Sequence, residues 1–200
     1  MVFILLLMAF ALVSCGNRGG NTTVSSRPAS TSGLPLVTSR AVAEVPTKVE
    51  IPFWAGDGVY GDPLIKINLS QQKAFFYKSG TLVGVSPIST GKQGYNTSPG
   101  NYRVLEKSPN HRSSLYGVYK DEVTKEIVKA DVDTKRDKIP QGCYYEGAPM
   151  FNFLRFNGGV GMHTGYLPGY SASHGCVRMP DTMARKFYQN APLGTPVIVI

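Results

Sequence analysis

The sequence predicts an all-β fold, a sandwich or barrel-like arrangement of short strands with one or two short helices. Short apolar stretches recur from about residue 64 onward with turn residues between them, which favours such an architecture. Only one segment, 181–190, has a clear helical pattern. The chain of 200 residues is 42% hydrophobic and 17% charged, so it can bury one core but not two large ones. Its 11 tyrosines and 9 phenylalanines exclude a collagen-like or wholly disordered chain.

The strands follow from the alternation of apolar and polar residues. Residues 64–69 alternate as a half-buried strand does. Residues 73–77 and 81–85 flank a turn at Lys78-Ser79-Gly80, which predicts a hairpin. Further short strands are predicted at 101–105, 116–119, 126–130 and 196–200.

Two other segments complete the prediction. In the helix at 181–190, Asp181 is expected to cap the start, Phe187 to face the core and Pro192 to follow the end. The polar residues 107–141 are expected to form a β-hairpin excursion, which either covers a cleft or is an ordinary surface loop.

The first 14 residues are predicted to be a lipoprotein signal peptide. The apolar run 2–13 is shorter than the roughly 20 residues that span a bilayer as a helix, and it fits the apolar region of an export signal. It ends in Leu12-Val13-Ser14-Cys15, which resembles a bacterial lipobox. That resemblance implies cleavage before Cys15 and lipid attachment to its sulfur. No Lys or Arg precedes the run, which departs from the usual signal.

Residues 15–45 are predicted to be a flexible, lipid-anchored tether, because Gly, Asn, Ser, Thr and Pro dominate and few bulky residues occur. We therefore expect an exported protein, anchored by lipid in the cell envelope and facing the periplasm. By resemblance to bacterial sorting rules, Gly16 favours the outer membrane in a bacterium that has one.

The net charge of +8 suits anionic partners such as wall polymers, phospholipid or a substrate carboxylate, or it reflects a solvated face. Nucleic acid is not an expected partner for an exported chain. Beyond Cys15, the chain has two cysteines, Cys143 and Cys176. In an oxidising compartment these two either form a disulfide or remain free thiols.

The residues with the clearest chemistry lie near the C-terminal end. A thiolate is a strong nucleophile, and a neighbouring imidazole either removes the thiol proton or stabilises the anion. Cys176 is therefore the predicted nucleophile, with His163 and His174 as imidazoles within reach. His163 is the better base, because it ends an apolar segment, whereas only one glycine separates His174 from the cysteine. The two stretches are Gly161-Met162-His163-Thr164-Gly165 and Ser173-His174-Gly175-Cys176-Val177-Arg178.

The backbone around the cysteine is expected to assist. Gly175 can turn sharply and bring amide N–H groups to a reacting carbonyl oxygen. The start of the following helix is expected to lower the pKa of the Cys176 thiol through its dipole.

A histidine followed by a loop and Ser-His-Gly-Cys resembles the L,D-transpeptidases with a YkuD-type domain. The resemblance covers residues 64–200, and His163 and Ser173-His174-Gly175-Cys176 carry it. It implies a YkuD-type catalytic domain, which we place at 46–200, and no cofactor or metal. The loop from His163 to Ser173 is shorter than in many members.

By that resemblance, Cys176 attacks the third residue of a peptidoglycan tetrapeptide stem and expels the terminal D-alanine, leaving a thioester. His163 is the implied general base and acid. An amine of a second stem or of a protein then resolves the thioester, which forms a cross-link or attaches a protein to the wall. Ser173 and His174 are expected to support the loop, Gly175 to help hold the oxyanion, and Arg178 to bind a substrate carboxylate or brace the loop.

Other functions stay open on the sequence alone. An L,D-carboxypeptidase would use the same thioester with water, and a non-catalytic wall-binding lipoprotein would hold stems without turnover. A papain-like peptidase has its cysteine before its histidine, although catalytic sets converge on unrelated folds. A Cys₂His₂ zinc site is disfavoured, because Cys143, His163, His174 and Cys176 lack the paired short spacings of structural zinc sites.

Single residues outside the motif are expected to be structural. His111 lies in a polar stretch and has no predicted role, and Cys143 is expected to be a packed thiol. Core or cleft-wall positions are predicted for Met150, Phe151, Phe153 and Phe156.

Overall fold

The computed structural model describes residues 51–200. The predicted signal peptide, the lipidation site Cys15 and the tether 15–45 lie outside the described residues. In the part described, no helix is long and apolar enough to cross a bilayer. The elements of this part are β1 (Phe53–Trp54), β2 (Pro63–Asn68), β3 (Lys73–Lys78), β4 (Thr81–Pro87), β5 (Gly100–Arg103), β6 (Glu106–Asp121), β7 (Ile127–Asp133), β8 (Cys143–Asn157), β9 (Val160–Thr164), β10 (Val177–Met179), α1 (Asp181–Asn190) and β11 (Pro196–Val199).

The strands form two sheets, which confirms the predicted all-β class. The first sheet has the order β1-β4-β3-β2-β11-β5 and the second the order β10-β9-β8-β6-β7. Most neighbours are antiparallel, but β11 lies parallel to β2, and β10 lies parallel to β9. The last strand of the chain thus joins the first predicted hairpin in one sheet.

The main apolar core contains side chains from both sheets and the helix. Phe76 of the first sheet, Leu154 and Met162 of the second, and Phe187 of α1 all belong to it and are at most 2% exposed. The rings of Phe76 and Phe187 meet edge to face, with centroids 5.1 Å apart. Because β9 contributes Met162 to this core, the strand that carries His163 is fixed from its buried side.

Several predicted elements are confirmed. The hairpin and the strand before it correspond to β2, β3 and β4, and β11 lies at the predicted C-terminal position. The helix occupies the predicted residues, Asp181–Asn190. The excursion at 107–141 contains β6 and β7, which pair antiparallel as a hairpin.

The predicted helix cap is wrong. Pro180 occupies the N-cap position, and no side chain caps the helix. Asp181 is instead the first helical residue, and its carboxylate accepts hydrogen bonds from Thr164 Oγ1 at 3.0 Å and from Arg185 at 2.8 Å. The aspartate therefore ties the helix to the end of β9.

Candidate active site

Two parallel strands bring the two motif segments together. His163 lies in β9, one residue before its end, and β10 begins directly after Cys176. In the parallel register, Arg178 lies opposite His163, and Val177 lies opposite Met162. The pairing makes neighbours of segments that the loop 165–172 separates in sequence.

His163 is a buried histidine with one fixed nitrogen. Its side chain is only 7% exposed, and Nδ1 lies 2.8 Å from the carbonyl oxygen of Thr164. A carbonyl can only accept, so Nδ1 carries the proton and Nε2 is left as the acceptor. Burial, with a smaller contribution from the positive charge of Arg178, lowers the pKa of His163 to about 4, although the hydrogen bond to Thr164 opposes the shift.

Cys176 is a free thiol beside the start of β9. Its Sγ lies 3.9 Å from the carbonyl oxygen of Gly159. Burial raises the pKa of the thiol, although the backbone N–H of Gly161 and the charge of Arg178 favour the thiolate. The thiol is therefore protonated at neutral pH in the resting protein.

The expected helix-dipole effect on Cys176 is wrong. β10 and Pro180 lie between the cysteine and the first residue of α1, Asp181. A helix dipole acts within the first turn, so its influence does not extend to a residue in front of an intervening strand.

The backbone before Cys176 is fixed by Ser173 and Gly175. The Ser173 hydroxyl donates to the carbonyl oxygen of Cys176 and accepts a hydrogen bond from the N–H of Gly175 at 3.1 Å. Gly175 has a φ of +112°, a backbone conformation that residues with a Cβ rarely adopt. The glycine thus allows the tight turn that Ser173 closes.

A segment of the first half of the domain supports the same loop. Thr97 Oγ1 donates to the carbonyl oxygen of Gly175 at 2.7 Å, and Lys92 N donates to the carbonyl oxygen of Ser173 at 3.0 Å. Ser89 exchanges two backbone hydrogen bonds with Arg178, at 2.9 and 3.0 Å. Residues 89–97 therefore hold both sides of Cys176.

His174 lies between two tyrosine rings. Its ring stacks on Tyr116 with centroids 4.4 Å apart, and it meets Tyr95 edge to face at 4.7 Å. Burial lowers its pKa, and the charges of Lys92 and Arg178 add to this shift. Burial also raises the pKa of Tyr116, and the charge of Asp133 adds to this shift.

The hairpin β6–β7 is tied to this aromatic cluster. Tyr116 belongs to β6 and pairs with Asp133 of β7. Arg136, which follows β7, donates to the Tyr95 hydroxyl and forms an ion pair with Asp133 at 3.0 Å. The excursion therefore contacts His174 through Tyr116 and Tyr95 through Arg136.

Arg178 places an uncompensated positive charge at the site. Among residues 51–200, no acidic side chain lies within ion-pair distance of its guanidinium. The same charge influences the pKa values of His163, His174 and Cys176. Its backbone braces the loop through Ser89, while its side-chain charge remains available to an anion.

The remaining candidate residues, Cys143, His111 and Phe153, lie in two different surroundings. Cys143 is buried in a second small cluster with Tyr119 and Val132. His111 stacks on Phe153 with centroids 4.2 Å apart, and the Phe153 ring lies 6.4 Å from that of His163. Among the described residues, no group of three His, Cys, Asp or Glu side chains is placed to hold a metal ion.

Several groups that contact the site are not predicted from the sequence. Thr164 is part of the quoted stretch, but its contribution is a backbone carbonyl, which its residue type does not reveal. Tyr95 and Tyr116 supply rings from positions far from Cys176 in sequence, so only the tertiary structure brings them to His174.

The family model for the L,D-transpeptidase catalytic domain, YkuD, matches residues 62–199. No curated protein sequence matches the chain significantly.

Solved L,D-transpeptidases have a similar fold. One from Mycobacterium smegmatis is 20% identical with a TM-score of 0.52, over 70% of this chain and 59% of that one. LdtMt1, solved in complex with imipenem, is 17% identical with a TM-score of 0.51, over 69% and 58%. One from Xylanimonas cellulosilytica is 21% identical with a TM-score of 0.51, over 71% and 62%. This chain spans less than two thirds of each solved chain, and at these identities the likeness establishes the fold.

Proposed function

Because the chain belongs to the L,D-transpeptidase catalytic-domain family, YkuD, we propose that it is a peptidoglycan L,D-transpeptidase acting through a thioester on Cys176. The observation that carries the proposal is the pairing of β9 with β10, which sets the fixed imidazole of His163 beside the strand that follows the thiol. A buried histidine with one nitrogen fixed by a carbonyl is suited to proton transfer at the other.

In the acylation step, Cys176 Sγ attacks the carbonyl carbon of the third residue of a tetrapeptide stem. The S–C bond forms, the C–N bond to the terminal D-alanine breaks, and the thiol proton passes through His163 Nε2 to the leaving amine. In the second step an acceptor amine forms the new C–N bond, the C–S bond breaks, and the proton returns to sulfur through the same imidazole.

The pKa shifts set the timing of the proton transfer. At neutral pH the thiol is protonated and His163 is neutral, so the resting pair carries no charge. The proton therefore moves as the sulfur bonds to the substrate rather than before. Bound substrate excludes water and strengthens the interactions that stabilise the charged transition state.

Four residues near Cys176 and His163 are considered for supporting roles in the proposal. Gly175 N–H already donates to Ser173, so the amide of Cys176 itself is the one we assign to the oxyanion. Arg178 has no acidic partner among the described residues, which suits it to a carboxylate of the stem. Ser173 and His174 position the loop.

The proposed location follows from the substrate. A peptidoglycan-modifying domain works outside the cytoplasm, and lipidation of Cys15 would hold it in the envelope, at the outer membrane where one is present. The tether 15–45 would then let the domain reach the wall, and the acceptor amine would come from a second stem or from a protein.

A carbapenem tests the nucleophile, since a β-lactam carbonyl forms a stable acyl-enzyme with an active-site thiol. LdtMt1 was solved in complex with imipenem, so imipenem is the chosen probe. We expect intact-mass spectrometry to show one imipenem adduct on the wild-type protein, with peptide mapping to Cys176. Cys176→Ser is expected to give no adduct.

The matched control is Cys143→Ser, which removes the other described thiol and is expected to keep the adduct. An adduct that persists in Cys176→Ser, or that maps to Cys143, would contradict the assignment. A wild-type protein that takes up no imipenem, despite a folded circular-dichroism spectrum, would favour a non-catalytic wall-binding module.

A further inference from the structure

Two strongly exposed tyrosines lie on the loop that joins His163 to Ser173. Tyr166 is 79% exposed and Tyr170 is 63% exposed. Within residues 51–200, neither hydroxyl makes a hydrogen bond and neither ring contacts another aromatic ring. Large aromatic side chains left in water without a partner are often binding surfaces.

The loop holds these rings in place through its backbone. Gly165 N donates to the carbonyl oxygen of Met179 at 2.9 Å, which fixes the start of the loop. Ser89 Oγ donates to the carbonyl oxygen of Tyr170 at 2.7 Å, and Ala172 N donates to the carbonyl oxygen of Thr90 at 3.0 Å. The tyrosines are therefore exposed on an anchored loop, which lowers the entropy cost of binding.

Residues that contact Arg178 also lie beside or hold each of the two tyrosines. Gly165 packs so closely on the Arg178 side chain that an added Cβ would lie 2.9 Å from its Cγ. Ser89, which holds Tyr170, also pairs with the backbone of Arg178. Each tyrosine is thus linked through one neighbour to Arg178, Tyr166 through the contact of Gly165 with the Arg178 side chain and Tyr170 through the pairing of Ser89 with the Arg178 backbone.

We propose that Tyr166 and Tyr170 form a subsite for the sugar of the glycan strand to which the stem peptide is attached. This inference rests on the proposed function, because the stem must be a substrate for its sugar to be brought to this loop. The pyranose ring has an apolar face of C–H groups, which packs on the electron-rich face of an aromatic ring.

The reach of a stem fits this placement. With its third carbonyl at Cys176, an extended stem runs about 10 Å to its first residue, at roughly 3.3–3.6 Å a residue, and the sugar follows. Cys176 precedes Arg178 by two strand residues, and Tyr166 follows the glycine that touches Arg178. The Tyr166 backbone therefore lies on the order of 15 Å or less from Cys176.

The charge of the loop favours a neutral ligand. Residues 165–172 contain no Lys, Arg, Asp or Glu. An anionic polymer or an acidic membrane surface would find no cation on this loop, whereas a neutral polyhydroxyl ring needs none. Arg178, at the base of the loop, remains for a carboxylate of the peptide part.

Calorimetry with two matched ligands tests the subsite. The ligands are a disaccharide-tetrapeptide muropeptide and the free tetrapeptide of the same sequence, and the protein carries Cys176→Ser so that neither is turned over. We expect the disaccharide to lower Kd by about tenfold. In this background, Tyr166→Ala with Tyr170→Ala is expected to bring the two Kd values to within about twofold.

Two controls accompany the alanine pair. The phenylalanine pair, Tyr166→Phe with Tyr170→Phe, is expected to keep the preference, because the ring faces remain. Tyr60→Ala removes a tyrosine that is 93% exposed and lies outside the loop. This variant is also expected to keep the preference for the disaccharide-bearing ligand.

Equal Kd values for the two ligands before any tyrosine is changed would overturn the subsite, as would a full preference in the alanine pair. A parallel assay of D-alanine release by the wild-type protein reports on the proposed function separately. Release from the free tetrapeptide without a preference for the sugar would retain the function and reject the subsite.

Discussion

At the scale of single residues, the imidazole of His163 is the group whose environment constrains the chemistry most. It is buried, its Nδ1 is bound to Thr164 O, and its pKa is lowered to about 4. In the unfolded chain the same group has a pKa of about 6.5. Between these two values the unfolded state binds a proton that the folded state does not.

This difference predicts a pH dependence of stability. Because the unfolded state takes up the proton, the free energy of unfolding falls as the pH drops from about 6.5 to about 4, by about 3 kcal/mol in all. Urea unfolding at pH 7 and pH 4.5 measures it. His163→Asn is expected to lose less unfolding free energy between these two pH values. Part of the loss is expected to remain, because burial also lowers the pKa of His174.

His163→Gln serves as a second variant if the asparagine protein does not fold. Equal losses in the wild-type protein and in a folded variant would mean that His163 is not buried in its neutral form.

At the scale of elements, the hairpin β6–β7 contacts the segment 173–176 through its side chains. Tyr116 on β6 stacks on His174, and Arg136 beyond β7 binds Tyr95 on its other side. The hairpin therefore helps to fix the loop that ends in Cys176. Small displacements of a nucleophile are costly, since about 1 Å can reduce the rate by about 10²-fold.

Tyr116→Ala removes one side of this stack. We expect kcat/KM for release of D-alanine from a stem tetrapeptide to fall by about 10- to 100-fold. Tyr116→Phe keeps the ring and is expected to retain most of the activity. Tyr144→Ala removes a tyrosine of β8 whose ring contacts Lys125 instead, and is expected to have little effect.

If the phenylalanine variant were as impaired as the alanine variant, the hydroxyl rather than the ring would be the important group. An active Tyr116→Ala protein would mean that the loop holds its position without the hairpin.

The elements also show why part of the fold is readable from the sequence. β2 and β3 alternate between buried and less buried positions, so their pattern predicts them, and the turn residues after β3 predict β4 as its hairpin partner. β8 has Gly147 and Pro149 within it, and a left-handed φ of 56° at Asn152, so two adjacent residues, Phe153 and Leu154, are both buried. That irregularity hides a 15-residue strand from a period-two analysis.

The candidate site likewise contains residues that the sequence predicts and residues that it does not. The types of Cys176 and His163 and their order suffice to suggest a thiol and a base. The rings around His174 come from residues far apart in sequence, which no local pattern encodes. The carbonyl of Thr164 is adjacent to His163 in the chain, but it becomes a partner only through the local backbone conformation, which the residue types do not reveal.

At the scale of the whole molecule, both sheets share one core, and the site depends on it. Phe187 of α1 is fully buried and contacts Phe76 and Trp54 of the first sheet, at centroid distances of 5.1 and 6.1 Å. The helix is tied to the end of β9 through Asp181 and Thr164. Loss of packing at the helix is therefore expected to weaken the whole domain.

Phe187→Ala is expected to lower the free energy of unfolding by about 3–5 kcal/mol, because it leaves a cavity between the sheets and the helix. Chemical denaturation followed by circular dichroism measures it. Phe151→Ala, at a side chain that is 42% exposed, is the matched control and is expected to cost less than about 1 kcal/mol. Similar losses in the two variants would contradict the central place of α1 in the core.

The central claim is that the sulfur of Cys176 forms a thioester with a stem tetrapeptide. Intact-mass spectrometry of the protein mixed with a synthetic tetrapeptide, quenched in acid at short times, tests it most directly. We expect a mass increase equal to the tripeptidyl group, equimolar free D-alanine, and neither product in Cys176→Ser. Release of D-alanine by the serine variant at the wild-type rate, without a covalent intermediate, would contradict it.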